Sequence, residues 1–193
     1  NFAGPLNNFI LGILTFILFF FLQGGVPDVT TNQVTVADGG ALQAAGVETG
    51  ARILEINGQA VSDYEDVSDI LAQVNENAKE APVLNLLVEE EGKEKTLQVT
   101  TIKDQGYFRL GVSPYLKTGF AETIIGGFQE AGATALLIVN ALKNIIASFD
   151  VKQLGGPVAI YNVSSQAAEG GILPVLRLLA MLSINLGIFN LIP

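Results

Sequence analysis

Polar and apolar positions divide the chain into regions of different character. From Pro5 to Val26 it is apolar on every face. "FILGILTFILFFFLQGGV" carries no charge, and about 20 such residues, rising about 1.5 Å each, cover a hydrocarbon core of about 30 Å. A buried core helix is the alternative. The absence of a helical stripe favours a membrane span.

The pattern changes from Asp28 to Leu116, where most of the charge lies. "NQVTVAD" alternates like a strand. Gly39-Gly40 turns the chain, and "ALQAAG" suits a short helix. "RILEI" alternates again into Asn57-Gly58, a strong hairpin signal. Ser62 and Glu65 stand at capping-box spacing, and Val67, Ile70, Leu71 and Val74 fall on one helical face. "VLNLLVEEEGKEKTLQVTTI" reads as two strands about an acidic turn containing Gly92. Glu89 to Glu91 are read as a solvated turn rather than a metal site. Val112 closes a last strand, and Ser113-Pro114 ends the domain.

Thr118 to Phe149 is apolar but interrupted by Glu122, Glu130, Asn140, Lys143 and Asn144. A charge at the bilayer centre costs about 2.5–3.5 kcal/mol, so an amphipathic helix in the interface fits as well as a span. "QLGGPVAIY" adds a bend. Ile172 to Ile192 is apolar again, with Arg177 near its start and Asn185 and Asn190 deeper. Buried amides of this kind face a bundle interior and seek partners.

The chain is 49% hydrophobic and 15% charged, against about a quarter charged in soluble domains. Mean hydropathy is +0.44, net charge −9 and pI about 4.4. That acidity disfavours nucleic acid as a partner. There is no Cys and no His, so this stretch alone holds neither a disulfide nor a His-ligated zinc site nor a Ser-His-Asp triad. The non-Met start and the end at Pro193 suggest a piece of a longer protein.

Four pieces stand in order: "FAGPLNNF", "GGALQAAGVETGARILEINGQAV", "LGGPVAIY" and "SINLGIFNLIP". Together they resemble the site-2 protease family of intramembrane zinc metalloproteases, in the bacterial branch with an extracytoplasmic PDZ domain. The resemblance covers essentially the whole chain. It implies a membrane α-helical protein with an inserted α+β PDZ-like domain: a transmembrane helix in 1–27, the PDZ-like domain in 28–117, an amphipathic segment in 118–171 and a second transmembrane helix in 172–193. It further implies regulated intramembrane proteolysis of single-span membrane substrates, such as anti-sigma factors, signal-peptide remnants or pheromone precursors, in a multi-pass protein in contact with lipid.

Zinc is the implied cofactor, activating water for hydrolysis. In the family its ligands come from a His-Glu-x-x-His helix upstream and a Leu-Asp-Gly motif downstream. Neither motif is present, so no catalytic or metal residue is expected within these 193 residues, and the piece alone is expected to be inactive. Asn190 and Pro193 match the family's Asn-x-x-Pro; Gly4, Pro5 and Asn8 match its Gly-Pro-x-x-Asn. Asn190 is expected to line the active site and orient a substrate carbonyl, with Asn8 and Asn185 nearby. Helix capping and helix packing are the plainer roles for these amides. The strand Gln33 to Ala37, including Val34, Thr35 and Val36, and the helix bearing Val67, Ile70 and Leu71 are expected to wall a peptide groove. In the family such domains gate access by size.

The flanking family motifs must meet on one side of the bilayer. An even number of crossings is therefore expected, with Phe120–Phe149 lying along the membrane or against the PDZ-like domain. A membrane-tethered PDZ module that binds peptide without catalysis is the main alternative. A transporter-like protein is disfavoured by the lack of repeated halves.

Overall fold

The computed structural model describes residues 3–148 and 170–191, in two compact units. One comprises Asn1–Val26 and Thr118–Pro193; the other is Pro27–Lys117. Helix α1 (Ala3–Gln23) opens the first unit. Pro5 sits in its first turn, where its missing N–H has no helical partner to lose. The helix stops where Gly24 adopts φ +92° and Gly25 N donates to Phe20 O at 2.9 Å, a glycine C-terminal cap.

The second unit is α+β. In order it contains β1 (Val26–Asp28), β2 (Val34–Val36), α2 (Ala41–Ala44), β3 (Arg52–Ile56), β4 (Gln59–Ala60), α3 (Tyr64–Asn77), β5 (Val83–Glu90), β6 (Lys93–Thr100), β7 (Ile102–Asp104), β8 (Tyr107–Arg109) and β9 (Val112–Lys117). Three sheets form, with orders β1-β9-β2, β4-β3-β5-β6 and β7-β8. Asn57-Gly58 turns β3 into β4 with both residues at positive φ, and Glu91-Gly92 does the same between β5 and β6, the primed turns that match strand twist. A third such turn, Gln105-Gly106, joins β7 to β8.

The expected cap of α3 shifts by one residue. Asp63 is the N-cap and accepts from Asp66 N at 3.1 Å, while the Asp66 carboxylate accepts from Ser62 N at 2.7 Å. The apolar face of α3 is as read: Val67 and Ile70 are buried, while Leu71 and Val74 are half-buried. They join Val34, Leu42, Ile53, Ile56, Leu86 and Leu110 in the core. The domain does not end at Ser113-Pro114. Strand β9 runs through both to Lys117, and Pro114 is tolerated because its missing N–H costs no bond to β2.

The first unit is completed by α4 (Phe120–Ser148) and α5 (Ile172–Phe189). With α1, these give three helices long and apolar enough to cross a membrane. Helix α5 runs antiparallel to α1. A side chain at Gly12 would meet Ile184 Cδ1 at 2.5 Å and Ala180 O at 3.2 Å, and one at Gly187 would meet the Phe9 ring at 3.1 Å. Helix α4 is also antiparallel to α1, with Gly127 against Ile17 near one end and Ala135 beside Phe9 near the other.

Helix α4 groups with α1 and α5 rather than with the α+β domain, and it runs beside α1 rather than lying across it. The reason is the kind of two-sidedness it has. Thr123, Gly126, Gly127, Ala131 and Thr134 form a small, buried face, while Ile125, Phe128, Leu136 and Leu137 point outward. A small face of this kind lets the backbones of neighbouring helices approach closely. Arg177, expected to reach the membrane surface, pairs with Glu130 of α4 at 3.1 Å.

Candidate functional site

The antiparallel fit of α1 and α5 assembles the candidate residues. The start of α1 and the end of α5 lie together, because Phe9 packs on Gly187 and lines a cleft with Ile188 and Leu191. Gly4, Pro5 and Asn8 therefore share one end of the helical unit with Asn190. Asn185 lies five residues before Asn190, or about 7.5 Å deeper along α5. Pro5 is buried, Asn8 and Asn185 are half-buried, and Gly4 and Asn190 are exposed. Asn190 is the C-cap of α5; its backbone N–H donates to Leu186 O at 3.0 Å. This bond is made by the main chain, not by the side-chain amide. Pro193 and the segment "LGGPVAIY" lie outside the described residues.

The cleft beside these amides measures about 550 Å³ and is lined by Phe9, Ala135, Leu136, Val139, Ile188 and Leu191, with Gly132 at its edge. Its wall is almost wholly apolar, so it suits an apolar chain segment rather than a charged solute.

The expected peptide groove is placed differently. Both edges of β2 are occupied. One pairs with β9, with Thr35 opposite Ser113. The other is taken up by Ala51 O accepting from Val34 N, Val34 O accepting from Gly50 N, and Thr49 Oγ1 accepting from Val36 N. The Gln33 amide donates to Gly50 O at 2.9 Å. A strand with no free edge cannot add a peptide, so Gln33, Val34, Thr35 and Val36 do not form the groove. Val34, Val67 and Ile70 belong to the core.

One cavity of this unit lies between α3 and β9. It measures about 620 Å³, and its lining includes Tyr64, Leu71, Leu110, Gly111, Val112 and Ser113. Of the expected groove residues Ala37 and Leu71 line it. Its β9 wall was missed because the last strand was read to close at Val112, where β9 begins. Leu110-Gly111-Val112, apolar on both sides of a glycine, was the available signal.

The ends of this unit are fastened together. Asp28, 9% exposed, pairs through Oδ2 with Lys117 Nζ at 2.9 Å. Its Oδ1 accepts from Thr30 Oγ1 at 2.7 Å and from Thr30 N at 3.1 Å. The Thr30 hydroxyl, and then Lys117, hold this carboxyl below the ordinary aspartate value, against the opposing effect of burial. In the acidic turn Glu90 pairs with Lys95 and accepts from Glu48 N at 2.8 Å. Bonding to Lys95 lowers its carboxyl.

Among the described residues no group of three His, Cys, Asp or Glu could hold a metal ion. The described residues do not fit a zinc centre.

The model of peptidase family M50 matches residues 1–193. The chain belongs to this family, the site-2 proteases. M50 relatives named as zinc metalloproteases are 47% identical in Streptococcus pneumoniae and 46% in Lactococcus lactis, over 193 residues and the whole of this chain. The protease Eep of Enterococcus faecalis is 41% identical over 198 residues. The chain spans about half the length of these relatives: 46%, 44% and 46%. Among solved structures, the PDZ domain of the SdrC-like protein from Listeria monocytogenes matches with a TM-score of 0.35 and 20% identity, covering 45% of this chain and 92% of that one. At that score the likeness decides nothing.

Proposed function

We propose that this M50 chain is the substrate-positioning half of an intramembrane zinc metalloprotease. In the intact protein it would act on single-span membrane proteins, in regulated intramembrane proteolysis. The observation that carries this reading is the antiparallel seating of α1 on α5. It brings the Gly-Pro-x-x-Asn residues and Asn190 to one end of the helical unit, beside an apolar cleft. The first residue of α1 and the last residue of α5 therefore face the same side. A protease whose zinc ligands flank this piece needs that arrangement.

In this reading α1 and α5 cross the bilayer of a multi-pass cell-membrane protein in contact with lipid, an even number of crossings, and α4 packs beside α1. The apolar cleft receives an apolar stretch of substrate. The exposed Asn190 amide donates to the substrate carbonyl, fixing it for attack and taking up charge as it develops. Asn8 and Asn185, half-buried on facing helices, hold the neighbouring backbone. Zinc, held elsewhere in the protein, supplies the activated water. The α+β unit acts as an extracytoplasmic PDZ-like gate, admitting substrates whose outer domains have been trimmed.

The rival reading is a tethered module that only captures peptide. The test is cleavage of a single-span reporter by the purified full-length protein in nanodiscs. A reporter with a short outer segment is expected to be cut, with loss of cutting on chelation and recovery with zinc. One carrying a folded outer domain is expected to be spared. A full-length protein that cuts neither reporter, or cuts both after chelation, rules the reading out.

A further inference from the structure

Helices α4 and α5 are each fitted to α1 by glycines. Gly126 and Gly127 of α4 lie against Val26 and Ile17, Gly12 of α1 lies against Ile184, and Gly187 of α5 lies against Phe9. Between α4 and α5 themselves, Arg177 Nη2 donates to Glu130 Oε1 at 3.1 Å, the one hydrogen bond or ion pair joining them among the described residues. Arg177 is exposed and Glu130 is half-buried. Gly127 beside Ile17 and Ala135 beside Phe9 put Glu130 level with the middle of α1. Ala180 beside Gly12 puts Arg177 nearer the Gln23 end. The guanidinium therefore reaches inward along the helices to meet a carboxylate at their mid-length.

Apolar residues of similar volume would hold two helices together as well as such a pair does. What the pair adds is register, because it joins one place on each helix. The inner face of α4 needs that help. Thr123, Gly126, Gly127, Ala131 and Thr134 are buried and small, so they allow close approach but offer few large side chains to resist sliding. A slip of one turn, about 5.4 Å, would put Ala131 or Val139 where Ala135 now stands. Ala135, Leu136 and Val139 form the α4 wall of the apolar cleft, and Ile188 and Leu191 form the α5 wall on either side of Asn190. Such a slip would reshape the cleft and would break the Arg177–Glu130 bond.

We propose that Glu130 and Arg177 are positioning residues for the apolar cleft: their pair fixes the register of α4 along α5 and so sets the shape of the opening offered to an apolar stretch of substrate. This deepens the protease reading and rests on it for its role. Neither side chain lines the cleft, so both act through the α4 wall. Their loss is felt in substrate binding, while the Asn190 amide and the chemistry stay as they are.

Two readouts on the full-length protein in nanodiscs test this, and the first needs no cleavage. Ala135→Cys with Ile188→Cys, any native cysteines being removed, are joined across the cleft by a short bifunctional thiol reagent. Glu130→Gln and Arg177→Gln are each expected to slow this link about fivefold, and the charge swap Glu130→Arg with Arg177→Glu to restore it. The second readout is cleavage of the short-ended single-span reporter, without the added cysteines. Each neutral variant is expected to raise KM about fivefold with kcat within about twofold, and the swap to bring KM back. A merely structural pair would lower folded protein and zinc content without splitting KM from kcat. Should the neutral variants fail to fold, Arg177→Lys decides the matter: it keeps the charge but loses the planar fork, and it is expected to slow the link in part. An unchanged link, a slowed link with unchanged KM, or no recovery in the swap overturns the proposal. A wild-type protein that links as expected but cuts no reporter overturns the protease reading, and the link alone then decides the register.

Discussion

Asn190→Ala in the full-length protein is expected to lower turnover of a short-ended single-span reporter by about 10²–10³-fold, the usual loss when one donor to a developing oxyanion is removed. Protein level and zinc content should be unchanged. Asn190 is exposed at the last turn of α5, so its side chain carries little packing. Its capping bond to Leu186 O comes from the backbone and survives the substitution. The plainer capping role therefore predicts a small change in stability and none in chemistry. Asn185→Ala, deeper and half-buried, is a useful contrast. A shift in stability there with near-normal turnover would assign it to packing between helices. Unchanged cleavage by Asn190→Ala removes Asn190 from the site.

The second large effect is expected in the α+β unit. Gly111 sits at φ +75°, and a side chain there would lie 2.5 Å from Gly40 Cα, a backbone atom that cannot swing away. Gly111→Ala therefore meets both a left-handed backbone, about 1–2 kcal/mol, and overpacking of about 1–3 kcal/mol. Together they approach much of what a small domain has to spare. Gly92→Ala has the same backbone problem at φ +74° but open space around it. In residues 27–117 expressed alone, a cooperative urea transition is expected. Gly111→Ala should shift it well beyond Gly92→Ala. Equal shifts would mean that the contact between Gly111 and Gly40 carries no energy.

Much of this molecule was legible in the residues. The Asn57-Gly58 and Gly92 turns, the apolar face of α3 and the apolar α1 and α5 all obey local rules. The readings that changed turned on longer-range facts. Pro114 is a strand breaker by local rule, yet it sits in β9 where its missing N–H faces away from β2. Gln33–Val36 alternates as a groove strand would, but alternation cannot reveal that Gly50 and Ala51 seal its second edge. The apolar pattern of α4 was read against its charges. Its small-against-large faces matter only once α1 is known to be the partner. Ser62 and Asp63 both suit an N-cap, and one residue of shift is within what sequence resolves.

The candidate site divides in the same way. The motif residues at each end were visible from the family resemblance. That they share one end of the helical unit depends on Gly12 and Gly187 allowing α5 to lie close and antiparallel on α1. Neither Tyr64 nor Asp28 drew notice, because a tyrosine after a cap and an aspartate at a domain edge are ordinary until β9 is placed between them.

The account turns on that antiparallel pairing, and cysteine cross-linking tests it most directly. This stretch has no Cys of its own, so paired substitutions within it introduce its only thiols. Phe9→Cys with Ile188→Cys, in the full-length protein with any native cysteines removed, is expected to cross-link rapidly under mild oxidation. Phe9→Cys with Leu173→Cys, at the far end of α5, is expected to stay reduced. Cross-linking to position 173 in preference to 188 would put Asn8 and Asn190 at opposite ends of the helices and contradict the account.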